Sequence, residues 1–558
     1  MKKMLTLIVV LLISTITFAQ DTLEVPYLDE SGSLIINALS QFVAADTNSN
    51  GEQLHQVYKL QRGGTYMYNE SPVFTNPIHL VADNPGATNE LRPPLLIVTA
   101  NAEGEVPYEH CLTTYADLTV KNIAMTTTSA DGSYSWANAI VLGTDGLKLV
   151  LDGCSFTLLG WGMVEAYIND GKIFVSNCTV RNATVYDYGD EWCPFFIEAG
   201  GGTFDTLSFT NNTFFNLQGT VINMDGSDVV RNLIFDHNTL VNVVKGFSAL
   251  NAHYNTIVTN NIFYNVQPHS VTLEQVLDGE DQSLPAVISA DTLLGNEPGT
   301  PDSVVALMSE HDRKFLLKNN CYAWSQNVQN YWAAFDSVVT PVWMTSVASS
   351  MFADDAGYPG FVEEGNVNMD PGFVSGDCTD DLVAQMTAHR ESGTFGFWGY
   401  DPGNDFTMPG YFLTYPYPED FSYTANLTAT DGFHVGSLQW YPGELAQYQG
   451  PNASVAIDED ENYTAADFTL EQNYPNPFNP VTTIHYMINH TEPVKLTVYN
   501  VLGQKIRTLV DNASLSAGRY SVQWHGINDA GQIVANGIYF YQLQAGSQVS
   551  MKKMMFLK

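Results

Sequence analysis

Six side chains in the middle of this chain have the types that acid–base chemistry on a polymer requires. They are two glutamates, an aspartate, a histidine and two basic residues: Glu165, Glu198, Asp225, His253, Arg181 and Lys245. The three acids and the histidine occupy similar places in successive segments, and the two basic residues are nearby in sequence. Carboxylates stacked roughly 5 to 10 Å apart serve as an acid and base pair or bind calcium. A solvated polar face is the alternative interpretation of the same column.

The segments that would carry these side chains repeat. Each has an alternating strand, then Asn or Gly, then another apolar residue, and they cover residues 118–122, 149–156, 173–180, 207–214, 233–240, 257–263 and 315–322. Corner residues taken as markers are separated by 24, 35, 26, 23 and 59 positions: Gly153, Asn177, Asn212, Asn238, Asn261 and Asn320. The shortest steps equal one coil of a parallel β-helix, and the longer ones add an inserted loop. The pattern predicts an all-β protein built on a right-handed parallel β-helix, or solenoid.

Asparagine suits the corner between coils. It tolerates the left-handed conformation, and its amide can bond the equivalent Asn one coil above and below. The second apolar residue of each repeat is expected to point inward and stack along the axis: Phe156, Val180, Phe214, Leu240 and Phe263. The spacing also predicts that Cys154, Cys178 and Cys321 share one column with Thr213, Thr239 and Ile262. Cys154 and Cys178 would then be close enough for a disulfide, with buried free thiols as the alternative.

Charge divides the chain into unequal parts. The formal net charge is −38, made up of about +2 in residues 1–20, −43 in residues 21–467 and +3 in the remainder. An acidic body repels nucleic acid and anionic membranes, so neither is an expected partner. Acidity also suits cation-rich surroundings, and calcium is the candidate cofactor. Asp46–Gly51 resembles the start of a calcium loop, but Val57 stands where a bidentate Glu is needed, so an Asx-rich turn is the better interpretation.

The sequence predicts four regions. Residues 1–20 have two lysines, an apolar run and a cleavable Ala19–Gln20 end, which is typical of a signal peptide. Residues 21–440 form the solenoid, with an N-terminal cap and inserted loops at 266–312. Polar, acidic residues 441–467 indicate a linker. Short alternating strands in residues 468–558 predict a compact β-sandwich.

The tail carries a resemblance to a known family. Its motifs are Asn473–Pro480, Val498–Gly503, Leu515–Tyr520, Gly537–Phe540 and the closing Lys552–Lys558. They resemble the C-terminal sorting domain of type IX secretion, which is close to FlgD-like immunoglobulin modules. The motif residues are Pro475, Asn476, Pro477, Phe478, Asn479, Pro480, Gly503 and Gly518. The resemblance implies export through the type IX machinery and a secreted or outer-membrane-surface location.

The solenoid is similar to the pectate-lyase-like β-helix proteins in architecture rather than in motif. The catalytic patterns of polygalacturonases and pectate lyases are absent, so no known reaction is carried over. The resemblance implies an exported protein that binds polysaccharide and, if it is an enzyme, degrades it as a lyase or glycoside hydrolase. The alternative is a non-catalytic surface or adhesion protein whose coils serve as a spacer. A monomer is expected.

Overall fold

The computed structural model divides the chain into two compact units, Met1–Pro451 and Asn452–Lys558. It describes residues 22–49, 53–83, 92–129, 137–159, 161–183, 197–199, 203–224, 229–244, 246–249, 253–268, 271–272, 286–288, 290, 310–335, 338–375, 379–392, 419–429, 431–448, 468–470, 473, 478–488, 492–500, 504–515, 518–529, 532–545 and 548–557. The predicted signal peptide, Asp225, Lys245, Pro475, Asn476, Pro477 and Gly503 lie outside these residues.

Three long parallel sheets make up the first unit, and the chain visits them in turn, so the predicted parallel β-helix is confirmed. Sheet A has eleven strands: β1 (Thr22–Val25), β2 (Val57–Leu60), β5 (Ile78–Val81), β8 (Leu118–Lys121), β11 (Lys148–Asp152), β14 (Gly171–Ser176), β17 (Thr203–Thr210), β20 (Val229–Asp236), β23 (His253–Thr259), β27 (Lys314–Lys318) and β31 (Gly360–Glu364).

Sheets B and C complete each coil. Sheet B has ten strands: β3 (Thr65–Tyr68), β6 (Leu95–Val98), β9 (Ala124–Thr126), β12 (Ser155–Thr157), β15 (Thr179–Ala183), β18 (Thr213–Leu217), β21 (Thr239–Val243), β24 (Ile262–Val266), β28 (Cys321–Ala323) and β32 (Val367–Asn368). Sheet C has seven: β4 (Val73–Phe74), β7 (Leu112–Thr114), β10 (Ile140–Leu142), β13 (Val164–Glu165), β16 (Ile197–Ala199), β19 (Ile222–Met224) and β22 (Ser248–Ala249).

Alternate side chains of all three sheets point into one continuous core. The inward residues predicted from the repeats are each no more than 1% exposed and follow one another in register, from Phe156 through Val180 and Phe214 to Phe263. Phe235 stacks with Phe214 and Phe263 at ring-centroid distances of 6.2 and 6.3 Å. A single coil could not enclose these rings, so each coil depends on the next for its burial.

The corner between sheets A and B is built from left-handed residues. One column has positive φ throughout: Asn122, Gly153, Asn177, Asn211, His237, Asn260, Asn319 and Gly365. In the coils from Asn212 to Asn320, the next residue forms a buried amide ladder, in which Asn212 bonds Asn238, Asn238 bonds Asn261, and Asn261 bonds Asn320 at 2.9 to 3.1 Å. A second ladder at the end of sheet B joins Asn182, Asn216, Asn242 and Asn265.

The predicted cysteine column is wrong by one position. Thr179, not Cys178, pairs with Thr213, and the column continues through Thr239 and Ile262 to Cys321. Cys178 instead lies beside Asn212, whose Oδ1 accepts its backbone N–H at 2.9 Å. Asparagine is doubled at these corners, so the sequence markers mixed two neighbouring columns. The four described cysteines, Cys111, Cys154, Cys178 and Cys321, are buried free thiols.

Helices and short strands lie outside the coils. The helices within the described residues are α1 (Ala38–Ala45), α2 (Gln326–Ala333), α3 (Ser346–Phe352), α4 (Thr379–Ser392) and α5 (Pro442–Leu445), with 3₁₀ turns at Glu310–Asp312 and Leu438–Trp440. Side-chain oxygens of Ser325 and Thr345 cap α2 and α3 by accepting a backbone N–H from their first turns. Three small sheets pair β25 (Val271–Thr272) with β29 (Val338–Val339), β26 (Ala286–Ile288) with β30 (Val342–Met344), and β33 (Phe373–Ser375) with β34 (Asp420–Tyr423). In the described residues, no helix has the length and apolar character that crossing a bilayer requires.

The end of the first unit packs back onto the solenoid. Phe421, Tyr423 and Trp440 cluster with outward-facing residues of sheet B such as Phe215 and Tyr264. Residues 431–448, which we call the strap, continue along the A–B corner, where Gly436 N–H donates to Asn260 O at 2.7 Å. The first eight residues of the expected linker, 441–448, therefore belong to the strap. The strap lies against the solenoid because it supplies hydrogen-bond partners to polar groups of the corner that would otherwise have none.

The second unit consists of two antiparallel sheets. One contains β35 (Phe468–Leu470), β36 (Thr482–Ile488) and β39 (Gly518–Trp524), and the other contains β37 (Glu492–Asn500), β38 (Lys505–Leu515), β40 (Gly537–Ala545) and β41 (Gln548–Phe556). Their inner faces share a core centred on Trp524, Tyr541 and Phe556. The predicted C-terminal β-sandwich is therefore present.

Candidate functional site

Sheet C places two of the predicted acidic residues at paired backbone positions. Val164 is buried in the core, and the residue after it, Glu165, is paired with Glu198 across β13 and β16. Backbones of paired parallel strands are roughly 4.8 Å apart. The same column continues to Asn223 on β19. We call Glu165, Glu198 and Asn223 the carboxylate column.

Glu165 is held by a buried amide from the preceding coil. The Nδ2 of Asn138 donates a hydrogen bond to Oε2 of Glu165, and the Asn138 side chain is 0% exposed. Among the described residues, Oδ1 of Asn138 has no hydrogen-bond partner. Glu165 itself is half-buried. One carboxylate of the column is thus oriented by a fixed, buried donor.

A histidine extends this polar group by one more coil. His110 Nδ1 lies 3.1 Å from both the backbone N and the backbone O of Asn138. The ring of Tyr108, which is 60% exposed, meets the His110 ring edge-on at 5.5 Å. Both His110 and Asn138 come two residues before an inward apolar residue of sheet C. That spacing is the signal by which the sequence could have revealed them.

The arrangement suits recognition of a polar polymer. Glu165 and Asn223 are half-buried polar side chains that belong, with Glu198, to one column of backbone positions in register on a rigid sheet. An exposed tyrosine ring beside them offers a face for packing against apolar groups of a ligand. Two neighbouring carboxylates are also the groups that an acid–base pair or a calcium ion would need. Groups of three or more His, Cys, Asp or Glu side chains placed to hold a metal ion are absent from the described part of the chain.

Arg181 does not lie in the carboxylate column. It is on β15 of sheet B, is 2% exposed, and places Nη2 2.9 Å from Oε1 of Glu419. Burial raises the pKa of Glu419, and the charge of Arg181 opposes that rise. Because both partners are enclosed, the pair fastens residues 419–423 to sheet B, and the expectation of Arg181 as a catalytic base is not supported by its position.

His253 lies elsewhere too. It begins β23 of sheet A, is 2% exposed, and contacts Thr256 Oγ1 through Nδ1. Its backbone oxygen accepts a hydrogen bond from Nε of Arg313 at 2.8 Å. Burial, followed by the charge of Arg313, places the pKa of His253 well below its ordinary value. The column instead continues from Asn223 to Ala249, because these two residues are paired across β19 and β22. His253 belongs to the next strand along the chain, β23 of sheet A.

A second ionisable cluster joins the strap to the solenoid. Asp236, which is 1% exposed, accepts hydrogen bonds from His237 Nδ1 at 2.9 Å, Thr259 Oγ1 at 2.5 Å and Tyr448 Oη at 2.5 Å. Burial raises the pKa of Asp236, but these hydrogen bonds outweigh it, and the net pKa lies below the ordinary value. Nε2 of His237 is 3.5 Å from Asp431 Oδ2, which allows an ion pair without a well-directed hydrogen bond.

Other residues singled out from the sequence make contacts within the fold. Asp46 accepts hydrogen bonds from the His55 backbone and side chain and from Tyr58, while Asn50 and Gly51 of the same predicted turn lie outside the described residues. In the tail, Phe478 is 1% exposed and packs on Trp524 and Phe556 at 5.4 and 5.0 Å. Asn479 and Pro480 are joined by a cis peptide bond, and Gly518 begins β39.

Comparison with known proteins identifies the tail alone. Residues 480–548 match the family model of the FlgD Ig-like domain. Six solved chains also match, among them dimeric latent PorU from Porphyromonas gingivalis, at 18% identity and a TM-score of 0.15. That match covers 16% of this chain and 10% of the PorU chain, so this chain spans about a tenth of PorU. At this TM-score, the similarity supports no conclusion about the fold or function of this chain. No curated protein matches this chain.

The fold and the family match together define the class. The chain is a parallel β-helix protein whose C-terminal β-sandwich includes a segment, residues 480–548, that matches the FlgD Ig-like domain model. The acidic solenoid carries the carboxylate column, and the sandwich contributes a separate hydrophobic core.

Proposed function

We propose that this protein is exported by a type IX secretion system and binds polysaccharide outside the cell with its solenoid. Support for the binding role comes from the carboxylate column, where Glu165 and Glu198 are neighbours and Asn138 orients one of them. A linear glycan offers hydroxyl groups at regular intervals. Side chains repeated once per coil are suited to meet such a ligand over several units.

Binding without cleavage is the form that the side-chain positions favour. A lyase needs a base near the carboxylates, and Arg181 and His253 are buried on sheets B and A instead. Lys245 and Asp225 lie outside the described residues. Our second candidate is a non-catalytic surface protein in which the solenoid serves as a rigid spacer that presents the column. It differs from the first candidate only in requiring no glycan.

The test is a glycan array with the full chain, followed by titration of each hit. Glu165→Gln/Glu198→Gln is expected to weaken binding about tenfold or more, because two acceptors become amides whose N–H groups face the ligand. Glu103→Gln/Glu105→Gln, at an exposed loop, removes the same charge and should bind like the wild type. If no glycan binds, or if both double variants bind alike, the proposal is wrong.

A second measurement addresses cleavage. The full chain is incubated with uronate polymers, and release of unsaturated products is followed by ultraviolet absorbance, with reducing ends measured for hydrolysis. We expect the wild type to release no more unsaturated product, and no more reducing ends, than the Glu165→Gln/Glu198→Gln variant. A signal that is present in the wild type and lost in this variant would show that the column is catalytic.

The export proposal is supported by the FlgD Ig-like match and by the tail motifs around Phe478 and Gly518. It is tested in a bacterium with a type IX system, by comparing surface exposure of the full chain with and without the translocon. We expect the chain to remain inside the outer membrane when the translocon is absent. Unchanged exposure in that strain would contradict the proposal.

A further inference from the structure

One corner position of the solenoid changes its residue type along the chain. It is the residue that follows the left-handed residue between sheets A and B, and in successive coils it is Ile123, Cys154, Cys178, Asn212, Asn238, Asn261, Asn320 and Asn366. From Asn212 onward, an amide hydrogen bond at this position joins each coil to the next. In the two coils before Asn212, cysteine stands where the later coils have asparagine.

The two cysteines occupy this position in register on adjacent coils. Ser155 pairs with Thr179 across β12 and β15, and the backbone N–H of Thr179 donates to the carbonyl oxygen of Cys154 at 2.9 Å. Equivalent residues of paired parallel strands have backbones roughly 4.8 Å apart. That separation is within the range of about 4.4 to 6.8 Å between the Cα atoms of a disulfide.

Both thiols are enclosed by the core and lie against each other. Cys154 is 1% exposed and Cys178 is 0% exposed. Their thiol groups are within hydrogen-bonding reach of each other, and burial, together with this contact, raises the pKa of Cys178 well above its ordinary value. The sulfur of Cys154 is also 3.3 Å from the carbonyl oxygen of Val120, just as the amide of Asn212 bonds the carbonyl oxygen of Val175. The cysteines therefore fill the places that the amide ladder fills in later coils.

The other two described cysteines have different neighbours. Cys111 accepts a hydrogen bond from the Tyr68 hydroxyl at 3.2 Å, and the thiol of Cys321 lies 3.0 Å from the carbonyl oxygen of Met369. A hydroxyl and a backbone carbonyl cannot form a disulfide, so these two thiols serve as a comparison for the Cys154–Cys178 pair.

We propose that Cys154 and Cys178 form a disulfide that covalently links the two coils carrying Glu165 and Glu198. Cys154 precedes β13 in one coil and Cys178 precedes β16 in the next, so the bond fixes the spacing of the carboxylate column. It supplies the rung that the amide ladder lacks between these coils. The inference rests on the proposed export only for its oxidising surroundings, since disulfides persist outside the cytoplasm.

The bond forms by thiol–disulfide exchange with a protein or small-molecule disulfide outside the cytoplasm. The thiolate of one cysteine attacks this oxidant and releases half of it, and the second cysteine then displaces the other half from the mixed disulfide. The S–S bond of the oxidant breaks as the S–S bond of the protein forms. The two oxidant sulfurs are reduced and leave as thiols with the two protons that the cysteines lose. Because the folded core encloses both cysteines, the exchange takes place before the coils close.

The experiment refolds the full chain from denaturant in a mixture of reduced and oxidised glutathione, with a fully reduced sample prepared in parallel. Free thiols are alkylated in denaturant, and each sample is digested with trypsin without reductant. Cleavage after Lys148, Lys172 and Arg181 places Cys154 on peptide 149–172 and Cys178 on peptide 173–181. Mass spectrometry is expected to find these two peptides joined in the sample refolded with glutathione and separately alkylated in the reduced sample.

The bond should also stabilise the solenoid. We expect the oxidised wild type to melt about 4 °C above the reduced wild type, because the link restricts the unfolded segment between two residues 24 positions apart. Cys154→Ala/Cys178→Ala should melt at one temperature after either refolding condition. The matched control, Cys111→Ala, removes a buried thiol elsewhere and should keep the difference between the oxidised and reduced forms.

Three results would overturn the inference. These are alkylation of both peptides after refolding with glutathione, attachment of the two cysteines to other partners instead of each other, or equal melting temperatures of the oxidised and reduced wild type. The wild-type comparison needs no substitution, so it stands even if a variant does not fold. All three results come from the purified chain and leave the export test unaffected. Conversely, surface exposure that does not depend on the translocon contradicts the export proposal alone.

Discussion

At the scale of single residues, burial distinguishes charged residues that a ligand could reach from charged residues that only stabilise the fold. Arg181 and Glu165 are both charged residues on short strands, yet Arg181 is enclosed with Glu419 and Glu165 is half-buried on sheet C. A guanidinium without access to solvent cannot meet a polymer. Its charge is instead balanced within the protein, where removal of one partner leaves the other unpaired.

We expect Glu419→Gln to destabilise the first unit by about 3 kcal/mol, because Arg181 then carries a buried charge without a counter-ion. Arg181→Met/Glu419→Leu should recover most of this loss, since no charge remains buried. The measurement is the shift of the urea unfolding midpoint of the full chain. Equal destabilisation by the single and double variants would show that the ion pair is not the cause.

At the scale of elements, the corners decide how the coils stack. Asn238, which is 0% exposed, accepts from the backbone and side chain of Asn212 and donates to Phe209 O and Asn261 Oδ1. Each rung satisfies backbone groups that would otherwise be buried without partners. The ladder therefore fixes the register between sheets A and B coil by coil.

Asn238→Ala is expected to lower the stability of the solenoid by about 2–4 kcal/mol, because the substitution leaves several buried polar groups unsatisfied. Asn255→Ala provides the comparison, since Asn255 bonds Asn232 in a half-buried position on the outer face of sheet A. Its loss should cost less than about 1 kcal/mol. Urea unfolding of both variants checks the difference, and similar losses would mean that the buried ladder adds little.

The strap should respond to acid. The lowered pKa of Asp236 means that its stabilising contribution is present above the ordinary carboxyl pKa and is lost as the pH falls through the lowered value. We therefore expect Asp236→Asn to melt below the wild type at pH 6, with a smaller gap at pH 3. Asp355→Asn, at an exposed turn, should show no gap at either pH. A gap for Asp236→Asn that does not change with pH would contradict the linkage.

At the scale of the whole molecule, charge opposes compactness. Residues 21–467, with a net charge of −43, place many carboxylates near one another, and the coil-to-coil lysine pairs relieve only part of that repulsion. Its stability therefore depends on screening by dissolved ions. A protein of this kind suits saline or cation-rich surroundings better than dilute ones.

Raising NaCl from 10 mM to 0.5 M should increase the melting temperature of the solenoid, because screening weakens repulsion among like charges more than it weakens the short lysine pairs. Calorimetry or circular dichroism of the full chain measures this shift. Lys121→Gln/Lys318→Gln should steepen the salt dependence, since it removes two of the compensating cations. A melting temperature that falls with salt would show that ion pairs dominate the balance.

Sequence alone determined the repeating architecture of this protein. The alternation of apolar residues and the recurrent corner asparagines predicted the stacked coils, and the same period brought Glu165 and Glu198 into one column. These features are local, because strand period and left-handed corners depend on residues close in the chain. The tail motifs likewise predicted the sandwich that matches the FlgD Ig-like domain.

Only the tertiary structure decided which candidates stay accessible. Arg181 is enclosed by Glu419 and His253 by Arg313, partners that come from distant parts of the chain and that no local pattern reveals. The one-position error at the cysteines has a similar origin, since only hydrogen bonds between coils distinguish Asn211 from Asn212.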